Sequence, residues 1–68
     1  VKTQLIGTVT MLDVERNVVL IRSPSHEDRI EAIFPAKLAC FFIRAVNQFV
    51  CLHGSWLEDG SFNVVRCV

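Results

Sequence analysis

The sequence has no tyrosine, one tryptophan, three glycines and two prolines, and its seven basic residues are matched by seven acidic ones. With no excess of either charge there is no long-range field to gather a phosphate backbone or an anionic lipid surface, so any nucleic-acid site must be local. No apolar run approaches the ~20 residues that cross a bilayer as a helix, and Val1-Lys2-Thr3-Gln4 lacks the features of a signal peptide. These absences predict a soluble, cytoplasmic protein with no membrane partner. The three cysteines, Cys40, Cys51 and Cys67, are an odd number without CxxC spacing, which argues against both a disulfide framework and a zinc module. Each sits in an apolar run, so they read as free, buried thiols of a reducing compartment. In an oxidising compartment Cys51 and Cys67, on the last two strands, are the pair to suspect.

Catalytic patterns are missing too. No glycine-rich phosphate loop is present, and no Ser or Cys has a base and an oxyanion donor array within a recognisable pattern. His26 and His53 have no cysteine or carboxylate at ligand spacing; only a chance convergence of Cys51, His53 and Cys67 across neighbouring strands would assemble a metal site. The acidic residues Asp13, Glu15, Glu27, Asp28, Glu58 and Asp59 fall mainly in predicted turns, where carboxylates cap and solvate. The expectation is a protein that is not an enzyme, without cofactor or metal.

What is present is apolar. Sixty-eight residues make one domain, 1–68, of which 51% are hydrophobic, a heavy load for a chain whose size leaves few fully buried positions. Some of that surface is expected to stay exposed, for self-association, for a protein partner, or against the rest of a longer polypeptide; the missing initiator Met favours the last.

The pattern along the chain is strand-rich. Thr3 to Leu12 mixes β-branched and apolar residues around Gly7, a position for a bulge or sharp coil, and Asp13 to Asn17 forms a turn into a short second strand, Val18 to Arg22. After the polar loop Ser23 to Glu27, the segment from Asp28 to Phe34 alternates, with Ile30, Ala32 and Phe34 inward and Arg29, Glu31 and Ile33 outward. Pro35 suits a first helical turn, and Leu38, Phe41, Phe42, Ala45 and Val46 follow a helical period, with Lys37 and Arg44 on the solvent side. Asn47-Gln48 ends the helix. Phe49 to Leu57 forms a fourth strand bent at Gly54, Asp59-Gly60 supplies a tight turn, and Phe62 to Val68 returns with Val64 and Val68 on one face.

The resulting order, three strands, a helix and two strands, predicts a mainly β fold: a five-stranded, OB-like antiparallel barrel with one helix between strands 3 and 4. The segments Gly7-Thr-Val-Thr-Met-Leu-Asp13, Arg29-Ile-Glu-Ala-Ile-Phe-Pro35 and Phe49-Val-Cys-Leu-His-Gly54, with Asp59-Gly60, resemble those of the small OB-like barrels appended to many bacterial proteins of unknown role. The resemblance spans nearly the whole chain. Its motifs describe bends, a helix start and a turn, so it implies a barrel and brings no binding residues.

Two functions suit such a barrel. The first is a non-catalytic interaction or accessory module that binds a protein partner or itself, through residues whose phase competes with full burial: Ile33, Phe41, Ile43, Phe49 and Leu57. The second is a single-stranded nucleic-acid-binding domain using Arg22, Arg29 and Arg66 as a basic strip and Trp56 as a stacking surface. Four of the five phenylalanines, Phe34, Phe41, Phe42 and Phe62, fall at core positions in this reading, and Trp56 is better placed to cover a barrel mouth than to stack a base.

Overall fold

A computed structural model describes residues 3–67. Its elements are β1 (Thr3–Asp13), β2 (Val18–Arg22), β3 (Ile30–Ile33), a 3-10 turn (Ala36–Leu38) leading into α1 (Ala39–Ala45), β4 (Phe49–Trp56) and β5 (Phe62–Cys67). The strands form a closed barrel in the order β1-β2-β3-β5-β4. One part of the expectation is corrected: the sheet is mixed. β3 and β5 run parallel, pairing Ala32 with Phe62 and Ile33 with Asn63, whereas the other four ladders are antiparallel. The reason is parity, because strand direction cannot alternate all the way round a closed ring with an odd number of members.

β1 is long because it serves two partners. Its first half, Thr3 to Thr8, pairs with β4, and its second half, Thr8 to Asp13, pairs with β2. Gly7 sits just before the change of partner, where a Cβ would lie 2.6 Å from both the Arg22 carbonyl oxygen and Ile21 Cγ2. A side chain there would force the coiled strand away from β2. The ladder irregularity itself comes slightly later, between Val9 and Met11, and the Thr10 hydroxyl at that point donates to the Leu20 carbonyl at 3.1 Å. Gly54 allows a second close approach, since a Cβ there would overlap the Asn63 carbonyl oxygen. The β4–β5 register shifts beside it, so that Val65 has no partner opposite. That extra residue breaks the alternation of β5: Val64 is buried, Val65 and Arg66 are exposed, and Cys67 packs against the core. Val68, expected on the Val64 face, lies outside the described residues.

The inward alternation of β3 is as expected, with Ile30, Ala32 and Phe34 buried, although the strand is shorter than Asp28 to Phe34. The helical stretch is also shorter than Pro35 to Val46. Pro35 is extended, the first turn is 3-10, and Val46 leaves the helix to form a bridge with Val9. What remains still closes one end of the barrel. Phe42 is fully buried, with its ring 4.6 Å from Phe34 and 5.2 Å from the edge-on ring of Phe41. Burying a phenylalanine of this kind stabilises by about 1.5–3 kcal/mol, a large share for so small a core.

Candidate functional site

The open end of the barrel is framed by the loop from Ser23 to Arg29 and the turn from Leu57 to Ser61. Trp56 follows the inward phase of β4 and lies edge-on over buried Phe62, with ring centroids 5.1 Å apart, while His26 packs on its other side at 5.4 Å. The loop beneath His26 is tied by Ser25, whose hydroxyl lies 3.1 Å from that of Ser23 and 3.3 Å from His26 Nδ1. Across the mouth, the Asp59 carboxylate accepts from the Ser61 hydroxyl at 2.6 Å and from its amide at 2.9 Å. Those two bonds hold its pKa below the ordinary carboxylate value. The cleft between loop and turn, about 740 Å³, is lined by Trp56 and Arg29 together with Glu27, Asp28, Glu31 and Asp59. Four carboxylates against one guanidinium make this mouth repel phosphate.

The remaining basic candidates lie elsewhere. Arg22 pairs with Thr8 on the β1–β2 ladder and lines a separate cleft with Thr10, Pro24 and Phe49. Arg66 sits opposite His53 on the β4–β5 ladder, and His53 Nε2 lies 3.4 Å from Gln4 Nε2. Of the four residues Arg22, Arg29, Arg66 and Trp56, only Arg29 and Trp56 share a cleft.

The apolar candidates divide differently. Asn47, with φ of 68°, turns the chain sharply out of α1. The turn is pinned to β1 by the Asn47 amide donating to the Val9 carbonyl at 2.7 Å and the Val9 amide donating to the Gln48 carbonyl at 3.0 Å. β4 therefore starts on the outer surface, and because Val50 and Leu52 point inward, Phe49 points out, at 66% exposed. Between it and α1 runs a groove of about 580 Å³ lined by Cys40, Phe41, Arg44, Ala45, Gln48, Phe49 and Val50. Half-buried Phe41 connects its floor to the core through Phe42. The structure thus brings Phe41 and Phe49 together. Ile43, 55% exposed, lies on α1 outside the groove; half-buried Ile33 pairs with Val18 and Asn63 on the sheet; Leu57, 40% exposed, belongs to the barrel mouth beside Trp56.

Sequence reasoning missed Arg44 as a groove residue and missed that Phe49 is a wall common to the Arg44 groove and the Arg22 cleft. The signal lies in β1: Thr8 pairs with Phe49 on one side and Arg22 on the other, a consequence of the change of partner. The cysteine expectation needs correction as well. All three are free, but Cys40 is exposed in the groove wall and Cys51 and Cys67 are only half-buried. Burial pushes the Cys67 thiol up to about 11. Cys67 pairs with inward-facing Leu52, so the neighbouring Cys51 projects from the opposite face of the ladder and the two are not poised to join. His53 shares the outward phase of Cys51, and among the described residues no group of His, Cys, Asp or Glu side chains converges as metal ligands. Nor is any described helix long and apolar enough to cross a membrane.

Together, the small closed barrel, its strand order and the helix between β3 and β4 are consistent with an OB-like fold. No protein-family model, curated protein or solved structure matches the chain.

Proposed function

We propose that this chain is a non-catalytic association module that binds protein through the apolar groove beside α1, acting as an accessory unit of a longer polypeptide or of an oligomer. The observation that carries the reading is Phe49: among the described residues, the large apolar side chain most open to water stands at the lip of a groove whose floor is Phe41 and Val50. Leaving such a ring in water costs roughly 1.5–3 kcal/mol relative to burying it, and a protein surface closing over it recovers that energy. The rival reading, a single-stranded nucleic-acid-binding domain, draws its support from the fold. Its basic residues are dispersed, and its tryptophan lies in an acidic cleft.

A photoreactive benzophenone amino acid at position 49 tests the reading in cells. Protein adducts are expected there and should be scarce at position 31, on the acidic side. Adducts that disappear on nuclease treatment would overturn it in favour of nucleic acid, and equal labelling at both positions would remove the groove from the account.

A further inference from the structure

The two ends of β4 carry opposite surfaces. At the start of the strand, the groove and the cleft beyond Phe49 present Arg44 and Arg22 beside apolar side chains, and no carboxylate lines either one. At the end of the strand the character reverses. Trp56 and Leu57, each 40% exposed, are followed directly by Glu58 and Asp59. With Glu27, Asp28 and Glu31 this end holds five of the chain's seven carboxylates, against Arg29. A molecule with zero formal net charge is therefore divided between a basic apolar groove and an acidic apolar tip.

Resting on the association reading above, we propose that the occupant of the groove is a second copy of this chain, which inserts its Trp56-Leu57-Glu58-Asp59 tip. Leu57 enters beside Phe41 and Phe49, and Glu58 meets Arg44. Asp59 is already engaged by Ser61, so Glu58 is the carboxylate left for the partner. The tip is braced for insertion: the Leu57 amide donates to the Ser61 carbonyl at 2.8 Å and the Gly60 amide to the Leu57 carbonyl at 3.1 Å. A pre-formed turn loses little further conformational entropy on docking. A molecule cannot fill its own groove, because an extended strand the length of β4 separates the two surfaces by about 23 Å at ~3.3 Å per residue. The contact is thus head-to-tail. Each copy uses one surface of each kind, and association continues into chains or closes into a ring.

Sedimentation velocity over a wide concentration range tests this on the intact protein. The average mass should rise above the 7.7 kDa of one copy as concentration increases and fall back when salt screens the Arg44–Glu58 attraction. Phe49→Glu removes the groove and Leu57→Glu removes the tip; both positions are exposed, so circular dichroism and the melting temperature should stay near the parent values. Each variant alone should be monomeric. Mixed in equal amounts, they should form a species of two copies and nothing larger, because one intact groove meets one intact tip. Arg44→Glu should weaken association about tenfold, and Arg44→Glu with Glu58→Arg should restore it. A wild-type chain that stays monomeric at every concentration overturns the proposal. So does a mixture of the two variants that remains monomeric while wild type associates, which would mean a symmetric interface. If benzophenone at position 49 still traps another protein while sedimentation finds only monomer, the association reading stands and the self-docking falls. Oligothymidine that competes for the groove and depends on Phe49 overturns both.

Discussion

At the scale of single residues, the three thiols differ because their surroundings differ. Cys40 is exposed, whereas burial raises Cys67 to about 11 from an ordinary 9.0. The folded protein therefore holds the Cys67 proton more tightly than the unfolded chain does. Its contribution to stability is complete below pH 9 and is lost as pH rises from about 9 towards 11. Alkylation followed by mass spectrometry at pH 8 should modify Cys40 first and Cys67 last. The urea midpoint should fall between pH 9 and pH 11, and Cys67→Ala should flatten that decline; an unchanged slope would assign it to other groups. Gly54 is held by sterics of a different kind. A Cβ there has no room against the Asn63 carbonyl, and backbone cannot swing aside as a side chain can. Gly54→Ala should cost about 2–4 kcal/mol in urea denaturation, whereas Gly60→Ala, with open space around the Cβ but φ of 91°, should cost about 1 kcal/mol.

At the scale of elements, α1 closes the barrel chiefly with Phe42, beside the smaller buried Ala45. Phe42→Ala leaves a cavity against Phe34 and Phe41 and should cost about 3–5 kcal/mol, close to the whole stability of a domain this size. Phe41→Ala removes a half-buried ring and should cost less, a difference read directly from thermal melts of the two variants. The helical period made this plug legible, because Leu38, Phe42 and Ala45 repeat correctly whether the first turn is 3-10 or α. Helix length was less accessible: Val46 fits the same period, but its bridge to Val9 competes for the residue and wins. In the strands, alternation located the inward residues of β3, Ile30, Ala32 and Phe34, whereas in β5 the unpaired Val65 moves Arg66 and Cys67 out of the phase that Val64 sets. Gly54 marked both a close approach and the register shift beside it, whereas Gly7 marked only a close approach, since the room needed there and the extra residue after Val9 are separate ways of bending one strand. For the candidate groove, apolar phase was enough to select Phe41 and Phe49. It could not add Arg44, whose place in the groove depends on the turn at Asn47.

At the scale of the whole molecule, closure depends on its weakest ladder. β1–β4 and β1–β2 are joined by six and five residue pairs, while the parallel contact between β3 and β5 has two. Parity forces one parallel neighbour in this ring, and the short length of β3 leaves that neighbour little to pair with, so the barrel has a seam. Ala32 and Phe62, one of its two pairs, are both fully buried, which places side-chain packing rather than backbone bonding in charge of holding it shut. Two forms of opening then become distinguishable by hydrogen exchange. If backbone pairing controls closure, amides bridging β3 and β5 exchange well before those bridging β1 and β4, and exchange there is insensitive to core substitutions. If packing controls it, as the burial of Ala32 and Phe62 implies, the seam is protected nearly as well as the other ladders in wild type and loses that protection selectively in Phe62→Leu. The second result is the expected one. Early seam exchange in wild type would instead mean that the barrel breathes along β3–β5 while its core remains packed.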